Sequence, residues 1–221
     1  MKIELNTWEE VRRWCDNHGI FKPTYVEQIN SQLFPKEAFS LGQLSSKFWL
    51  LEHLKAVPPP PPNATVAYLG CWIGSLAPFM IDNLSIERIY GFDSDPIAIT
   101  QSEVFNRRYV EDGWKFKGVI ADVSLLEMNN LEFETGGELI QTKPDWVLNT
   151  SCEHMDTEWF NTVDSDQLII MQTNNSPNFP GHINTCDSVE DMQSKYSLSK
   201  TLFAGEMVTP VYTRYMQIGY K

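Results

Sequence analysis

Two adjacent side chains that can transfer protons, Glu153 and His154, follow an apolar segment that ends at Asn149. A carboxylate beside an imidazole is a common general-base pair, because histidine titrates close to neutral pH. Such a pair would take a proton from a nitrogen or oxygen nucleophile, with Asn149 as a third catalytic candidate. Alternatively, Glu153 and His154 cap and anchor a short following helix. Ligands of open α/β sheets lie at the carboxyl ends of the strands, which favours the functional interpretation.

A glycine turn forms a second group of candidates. Gly70 and Gly74 follow an apolar run, and Asp93 ends the next apolar run, 19 positions after Gly74. Glycine lets the backbone approach a ligand closely because it has no Cβ. An acid about 20 residues further on can accept hydrogen bonds from both ribose hydroxyls. The order strand, glycine turn, helix, strand and acid predicts half of a nucleotide-binding unit.

Other polar residues follow the predicted strands. Asp122 comes after a third apolar run, where it would either meet a ligand or only begin a loop. Asp95 precedes Pro96, and for this acid we favour a role as a helix cap. Gln172, Asn174 and Asn175 end a later strand and precede a loop that contains His182. That loop either lines an acceptor pocket or is ordinary turn chemistry.

The elements that position these residues alternate along the chain. Predicted strands cover Thr65–Gly70, Arg88–Asp93, Phe116–Asp122, Asp145–Thr150 and Gln167–Thr173, and predicted helices cover Leu76–Asn83, Pro96–Glu111 and Thr157–Val163. This alternation predicts a parallel sheet with both faces covered. Ser199–Glu206 and Val211–Tyr220 predict a closing antiparallel hairpin.

The chain before this unit has a different character. Residues 1–57 predict a helical N-terminal cap, with one helix between Thr7 and Gly19 and another over Lys36–Val57. Five consecutive prolines, Pro58–Pro62, cannot continue a helix and predict a stiff linker over residues 58–63. We therefore expect a cap, a linker and one α/β domain over residues 64–221.

Composition restricts the function. The formal net charge is −12, and such an acidic surface disfavours binding to nucleic-acid backbones. The four cysteines are isolated, which predicts free thiols and no metal site. The polar N-terminus and the absence of a long apolar run predict a cytoplasmic protein without a membrane span.

From Thr65 to Lys221 the chain resembles class I S-adenosylmethionine-dependent methyltransferases. The resemblance implies a Rossmann-like seven-stranded sheet with an antiparallel last strand, and S-adenosylmethionine as cofactor. It also implies a set of cofactor-binding residues: Tyr68, Gly70, Cys71, Trp72, Gly74, Asp93, Ser94, Asp122, Val123 and Asn149. In this resemblance Asp93 holds the ribose and Asp122 meets the adenine amino group. The neighbourhood of Glu153 also looks like methyltransferase-like proteins of tailed phages.

The glycine turn departs from the family pattern at two positions. Tyr68 replaces an acid that helps to orient the methionine end of the cofactor, and Trp72 replaces the middle glycine. Trp72 would either pack beside the cofactor or obstruct its usual pose.

Three functions remain open from the sequence. The first is methyl transfer to a nitrogen or oxygen of a small-molecule or protein acceptor, with RNA less favoured. The second is cleavage of the sulfonium, or transfer of its aminocarboxypropyl group, on the same fold. The third is a protein-binding module without catalysis. An NAD-dependent enzyme is disfavoured because the turn lacks the GxGxxG spacing.

Overall fold

The computed structural model describes residues 34–209 and 211–221. The first predicted helix, between Thr7 and Gly19, lies outside these residues. Helices α1 to α6 span Leu41–Ala56, Ala77–Asn83, Pro96–Phe105, Arg107–Glu111, Glu158–Asn161 and Val189–Lys195. Strands β1 to β9 span Ala64–Leu69, Ile86–Asp93, Phe116–Ile120, Leu131–Thr135, Glu138–Thr142, Trp146–Asn149, Leu168–Asn174, Lys200–Val208 and Thr213–Tyr220.

Seven strands form one sheet in the order β3-β2-β1-β6-β7-β9-β8. Strand β9 runs antiparallel to both of its neighbours, and the other pairs in this sheet are parallel. The predicted Rossmann-like sheet, with an antiparallel last strand reached through a hairpin, is thereby confirmed. The carboxyl ends of β1, β2, β3, β6 and β7 consequently meet at one edge of the sheet.

Helix α1 belongs to the same core as the sheet. Its buried side chains Phe48, Leu50 and Leu51 share a hydrophobic cluster with Val66 of β1. The helix begins after Ser40, whose side chain accepts a hydrogen bond from Gln43 N, and it ends before the prolines. The proline run therefore separates α1 from β1 along the chain without separating two cores.

The predicted helix Pro96–Glu111 is divided into α3 and α4. Asn106, which is fully buried, lies between them and donates its amide to the carbonyl oxygens of Gly74 (3.1 Å) and Ser102 (2.9 Å). The break allows this side chain to reach the glycine turn after β1. Sequence periodicity missed this break because the need for it arises from a residue 32 positions away.

A hairpin and a helix lie in segments where we predicted no regular structure. Strands β4 and β5 form a separate antiparallel hairpin between β3 and β6, and α6 covers the far end of the sheet before β8. In the hairpin, Phe133 packs edge-to-face on Tyr90 and Phe92 of β2. Among the described residues, none of the helices has the length and the apolar character that a membrane span requires.

A substitution at Gly219 in β9 would test the close packing of the β8–β9 hairpin. A Cβ at this position would overlap the carbonyl oxygen of Lys200 in β8, which is backbone and cannot swing aside. We expect Gly219→Ala to lower the free energy of unfolding by about 1–3 kcal/mol, measured by chemical denaturation.

Gly205 in β8 provides the matched control. Its added Cβ would meet only the far end of the Phe203 ring, which can move, so Gly205→Ala should lose less stability. Equal losses in the two variants would contradict the predicted backbone clash.

Candidate functional site

A cleft of about 880 Å³ opens at the carboxyl edge of the sheet. Its walls come from the turns after β1, β2, β3 and β6, from a loop after β7, and from helix α1. The predicted site residues that line it are Tyr68, Gly70, Cys71, Trp72, Asp93, Ser94, Asp122, Val123, Glu153 and His154. The fold therefore brings most of the candidates around one space.

The carboxylate of Asp93 fastens the glycine turn to the end of β2. Its Oδ2 accepts a hydrogen bond from Trp72 N at 2.9 Å, and its Oδ1 accepts one from Asp95 N at 3.0 Å. Each carboxylate oxygen can accept a second bond, so both remain able to bind a hydroxyl in the cleft. Asp95 caps α3 through Ile97 N (2.8 Å), in the role favoured from the sequence.

Trp72 adopts the backbone conformation that glycine usually supplies. Its φ is 50°, in the left-handed region, which is rare for a bulky residue. Gly70 and Gly74 on either side have φ values of 57° and 62°. The indole is half-buried, packs against the core and lies in the wall of the cleft, and an open space remains beside it.

Tyr68, which the sequence resemblance predicts to stand in place of an acid, has a phenol that is uncharged at neutral pH. The side chain is buried, and its hydroxyl lies 3.1 Å from Thr150 Oγ1. Burial raises the pKa of the Tyr68 phenol well above its ordinary value. Residue 68 therefore offers a neutral hydroxyl to this end of the cleft.

Asp122 follows β3 and lies in the wall that continues from Asp93. Its Oδ1 accepts hydrogen bonds from the backbone N (3.0 Å) and Oγ (2.8 Å) of Ser124, and so caps a short 3₁₀ turn. Val123 lines the cleft beside it. Asp122 thus caps the turn and also lines the cleft.

Glu153 is held in a buried network. Its Oε1 accepts hydrogen bonds from Asn174 Nδ2 at 2.6 Å and from Arg214 Nη1 at 3.1 Å. Both Glu153 and Arg214 are nearly inaccessible to solvent. With Oε1 committed to Arg214, Glu153 is less suited to the predicted role of proton acceptor. It is better suited to anchoring this end of the cleft.

His154 lies on the exposed rim and faces a loop that follows β7. Its Nδ1 is 3.2 Å from the carbonyl oxygen of Gly181, and its ring packs edge-to-face against His182 at 4.6 Å between centroids. The loop is also tied to Glu153, whose carbonyl oxygen accepts from Ile183 N (2.8 Å) and Asn184 N (3.1 Å). Phe179, Pro180, His182 and Ile183 of this loop line the cleft.

Two predicted site residues lie outside the cleft lining. Asn149 is fully buried, where its Oδ1 accepts from Ser151 N (2.9 Å) and its Nδ2 contacts Met155 Sδ (3.0 Å). It shapes the loop after β6 from beneath rather than facing a ligand. Gly74 packs under the turn, where a Cβ would meet Asn106 Nδ2 at 2.8 Å and Phe116 Cζ at 2.9 Å. Asn149 and Gly74 therefore support the cleft from below, through the loop after β6 and the glycine turn, without lining it.

The amides at the end of β7 also serve as braces. Gln172 donates to the carbonyl oxygen of Ser46 in α1 at 3.0 Å, and Asn175 Oδ1 accepts from Thr213 N at 2.9 Å. These amides therefore brace the strand, while the loop that follows them, which we predicted as a possible pocket lining, contributes residues to the cleft wall.

Helix α1 contributes lining residues that sequence reasoning missed. Gln43 and Lys47, one helical turn apart, line the cleft together with Glu37. Lys47 Nζ donates to Gln43 Oε1 at 2.9 Å although the side chain is buried. The available signal was a pair of polar residues spaced i and i+4, which places them on one face of the helix.

Lys47 should give the protein a pH-dependent stability. Burial lowers its pKa from 10.5 to about 7, and the charge of Arg214 lowers it as well. The loss of unfolding free energy caused by the buried ammonium is therefore greatest below about pH 7, and it disappears as the pH rises to 10.5. Relative to wild type, Lys47→Met should gain stability as the pH falls through this range, measured by denaturation at several pH values.

Lys55→Met, at an exposed position of the same helix, is the matched control and should show no such trend. A difference between Lys47→Met and wild type that stays constant with pH would refute this account of Lys47.

The buried pair of Glu153 and Arg214 generates a further prediction. Glu153→Gln leaves the guanidinium buried without its carboxylate, which should cost about 3–5 kcal/mol of unfolding free energy. The double variant with Arg214→Met should recover part of that loss, because it also removes the uncompensated charge. In the exposed pair of Arg107 and Glu111, Glu111→Gln should have little effect. Equal effects at the two sites would contradict the anchoring role.

No protein-family model matches the sequence, and no curated protein matches it significantly. Solved structures do resemble it. Magnesium protoporphyrin IX methyltransferase (ChlM) from Synechocystis PCC 6803, with bound S-adenosylhomocysteine, matches 96% of this chain and 98% of its own. The TM-score is 0.59 and the sequence identity is 14%.

Two further structures have the same architecture. A TehB-like S-adenosylmethionine-dependent methyltransferase from Corynebacterium glutamicum ATCC 13032 Kitasato matches 97% of this chain and 100% of its own, with a TM-score of 0.50 and 9% identity. Geranyl diphosphate methyltransferase in complex with S-adenosylmethionine matches 80% of this chain and 84% of its own, with a TM-score of 0.53 and 12% identity. At such low identities these likenesses establish the fold: the chain has the Rossmann-like fold of these methyltransferases.

Proposed function

We propose that the protein is a methyltransferase that moves the methyl group of S-adenosylmethionine to an oxygen or nitrogen atom of its acceptor. The observation that carries this proposal is the cleft at the carboxyl edge of the sheet, with Gly70, Asp93 and Asp122 in successive parts of its wall. Solved structures of the same fold hold S-adenosylmethionine or S-adenosylhomocysteine. At about 880 Å³ the cleft lies within the range typical of small-molecule sites.

The residues present suit this cofactor. Gly70 lies in the turn where the space is tight, since an added Cβ would be 3.1 Å from both Met155 Cε and Ser151 Cβ. Asp93 would hold the ribose hydroxyls, and Asp122 with Val123 would hold the adenine. Tyr68, Cys71, Trp72 and Ser94 complete the wall. Because Tyr68 is neutral, contacts to the methionine end would rest on its hydroxyl and on the backbone of the turn.

The bound cofactor would supply an electrophilic methyl group on a sulfonium. Methyl transfer is an in-line displacement, so alignment of the acceptor contributes much of the rate. The rim formed by Glu153, His154 and the loop after β7 would hold the acceptor. In this arrangement Glu153 and Arg214 keep the rim in place, and the exposed imidazole of His154 would take the acceptor's proton.

The surroundings of the cleft favour a small molecule or a protein as acceptor over RNA. The ionisable lining residues include the acids Glu37, Asp93, Asp122 and Asp156, against one lysine, Lys47. A lining of this charge disfavours a phosphate backbone. A cytoplasmic location and a relationship to phage-borne proteins remain predictions from the sequence.

Aminocarboxypropyl transfer is the second candidate, and the observation that favours it is the neutral Tyr68 in place of an acid. The two reactions leave different products. We expect turnover with the true acceptor to give S-adenosylhomocysteine. Methylthioadenosine would instead show that the protein transfers the aminocarboxypropyl group. Chromatography with mass detection distinguishes the two.

Cofactor binding is the direct test. Isothermal titration with S-adenosylmethionine should show one site, and Asp93→Asn should weaken it by roughly tenfold to a hundredfold, since hydrogen bonds to a charged group are being replaced. Asp95→Asn is the matched control, because asparagine caps a helix as well as aspartate does. Its affinity should stay within about twofold of wild type.

Absence of binding at millimolar cofactor would overturn the proposal and favour a protein-binding module. Equal weakening by Asp93→Asn and Asp95→Asn would reject the ribose-binding role of Asp93.

A further inference from the structure

The acceptor side of the cleft contains a cluster of metal-ligand side chains. Glu153, His154 and His182 each offer one ligand atom, and these atoms lie within 4.8 Å of one another. The residues come from two separate segments, the turn after β6 and the loop after β7. The spacing of histidines and cysteines along the chain gave no sign of this cluster, which only the fold assembles.

The hydrogen bonds of both histidines leave the same ring atom available. Nδ1 of His154 faces the carbonyl oxygen of Gly181 at 3.2 Å, and Nδ1 of His182 faces that of Ser176 at 2.6 Å. A carbonyl oxygen can only accept, so each Nδ1 carries the proton and each neutral ring presents a lone pair at Nε2. Histidines that bind metals are commonly oriented in this way by a backbone carbonyl.

The carboxylate of Glu153 also has an unused atom. Arg214 and Asn174 both bond to Oε1, whereas Oε2 is buried and has no hydrogen-bond partner among the described residues. A buried carboxylate oxygen without a partner is costly, and its presence calls for a water molecule or an ion. Since Glu153 lines the cleft, a cation there would satisfy it.

The three side chains are already held in place. The carbonyl oxygen of Glu153 accepts hydrogen bonds from Ile183 N and Asn184 N, which fixes the loop that carries His182. His182 N in turn donates to the carbonyl oxygen of Phe179 at 3.2 Å. Arg214 offsets part of the carboxylate's charge, and Asp156 and Asp122 add negative charge to the same cleft.

We propose that Glu153, His154 and His182 bind a divalent first-row transition metal ion through Oε2 and the two Nε2 atoms. Two imidazoles and one carboxylate suit Zn²⁺, Co²⁺, Fe²⁺ or Mn²⁺ better than Mg²⁺, which prefers oxygen ligands. Three protein ligands leave further coordination positions open towards the cleft, as in catalytic rather than structural sites.

The role of the ion rests on the proposed function. With the ion bound, His154 would serve as its ligand instead of taking the acceptor's proton itself. An acceptor hydroxyl on the ion would lose that proton to water more readily, since coordination lowers its pKa. The resulting oxygen would donate an electron pair to the methyl carbon as the carbon–sulfur bond breaks and its electron pair returns to sulfur. The products would be the methylated acceptor and S-adenosylhomocysteine.

The test is cobalt binding to the full chain after removal of metals with a chelator. Titration with Co²⁺ alone, followed by visible absorption, should show one equivalent bound and displaced by Zn²⁺. His182→Ala and His154→Ala should each weaken Co²⁺ binding roughly tenfold or more. His53→Gln is the matched control, because this histidine lies outside the cleft, on α1.

Titration of the same variants with S-adenosylmethionine shows that they are folded and separates the two proposals. Wild type that binds the cofactor but neither Co²⁺ nor Zn²⁺ overturns the metal site and leaves the proposed function standing. Wild type that binds the metal but not the cofactor supports the metal site and overturns the proposed methyltransferase function. Cobalt binding that is unchanged in both His182→Ala and His154→Ala also overturns the assignment.

Discussion

The buried contact between Glu153 and Arg214 determines the shape of one side of the cleft. It joins the turn after β6 to β9, with Asn174 of β7 bonded to the same carboxylate oxygen. Three neighbouring strands are thus tied together at one edge of the sheet. An ion pair in this position must keep both partners, because the loss of either one leaves a charge buried without compensation. The loop that carries His182 depends on the same residue through the backbone oxygen of Glu153.

The opposite side of the cleft depends on close packing around the glycine turn. Asp93 holds the turn from the end of β2, and Asn106 holds it from the break between α3 and α4. Phe116 of β3 fills the space beneath, close to both Gly74 and Gly91. The turn is therefore fixed by three neighbouring elements. This explains how Trp72 can adopt a left-handed backbone that it would avoid in a free peptide.

Much of the fold could be predicted because strand and helix patterns are local. The five parallel strands, the closing hairpin and the acid at the end of β2 all follow from apolar runs and from turn residues. The break at Asn106 was missed because its partner, Gly74, lies 32 positions away in the sequence. The β4–β5 hairpin was missed although its signal is local, since its strands pair across the two-residue turn Gly136–Gly137. Among the site residues, Asn149 was placed at a strand end correctly, but whether its side chain faces the cleft or the core depends on packing.

The sequence by itself determined the order of the elements, the turn after β1 and the acids that follow β2 and β3. It did so because each of these features is encoded by neighbouring residues. Only the tertiary structure decided that Glu153 pairs with Arg214, that Lys47 lies buried in the cleft wall, and that His154 meets His182. These contacts join segments that are distant along the chain. Their existence depends on strand register and loop packing, which no local pattern specifies.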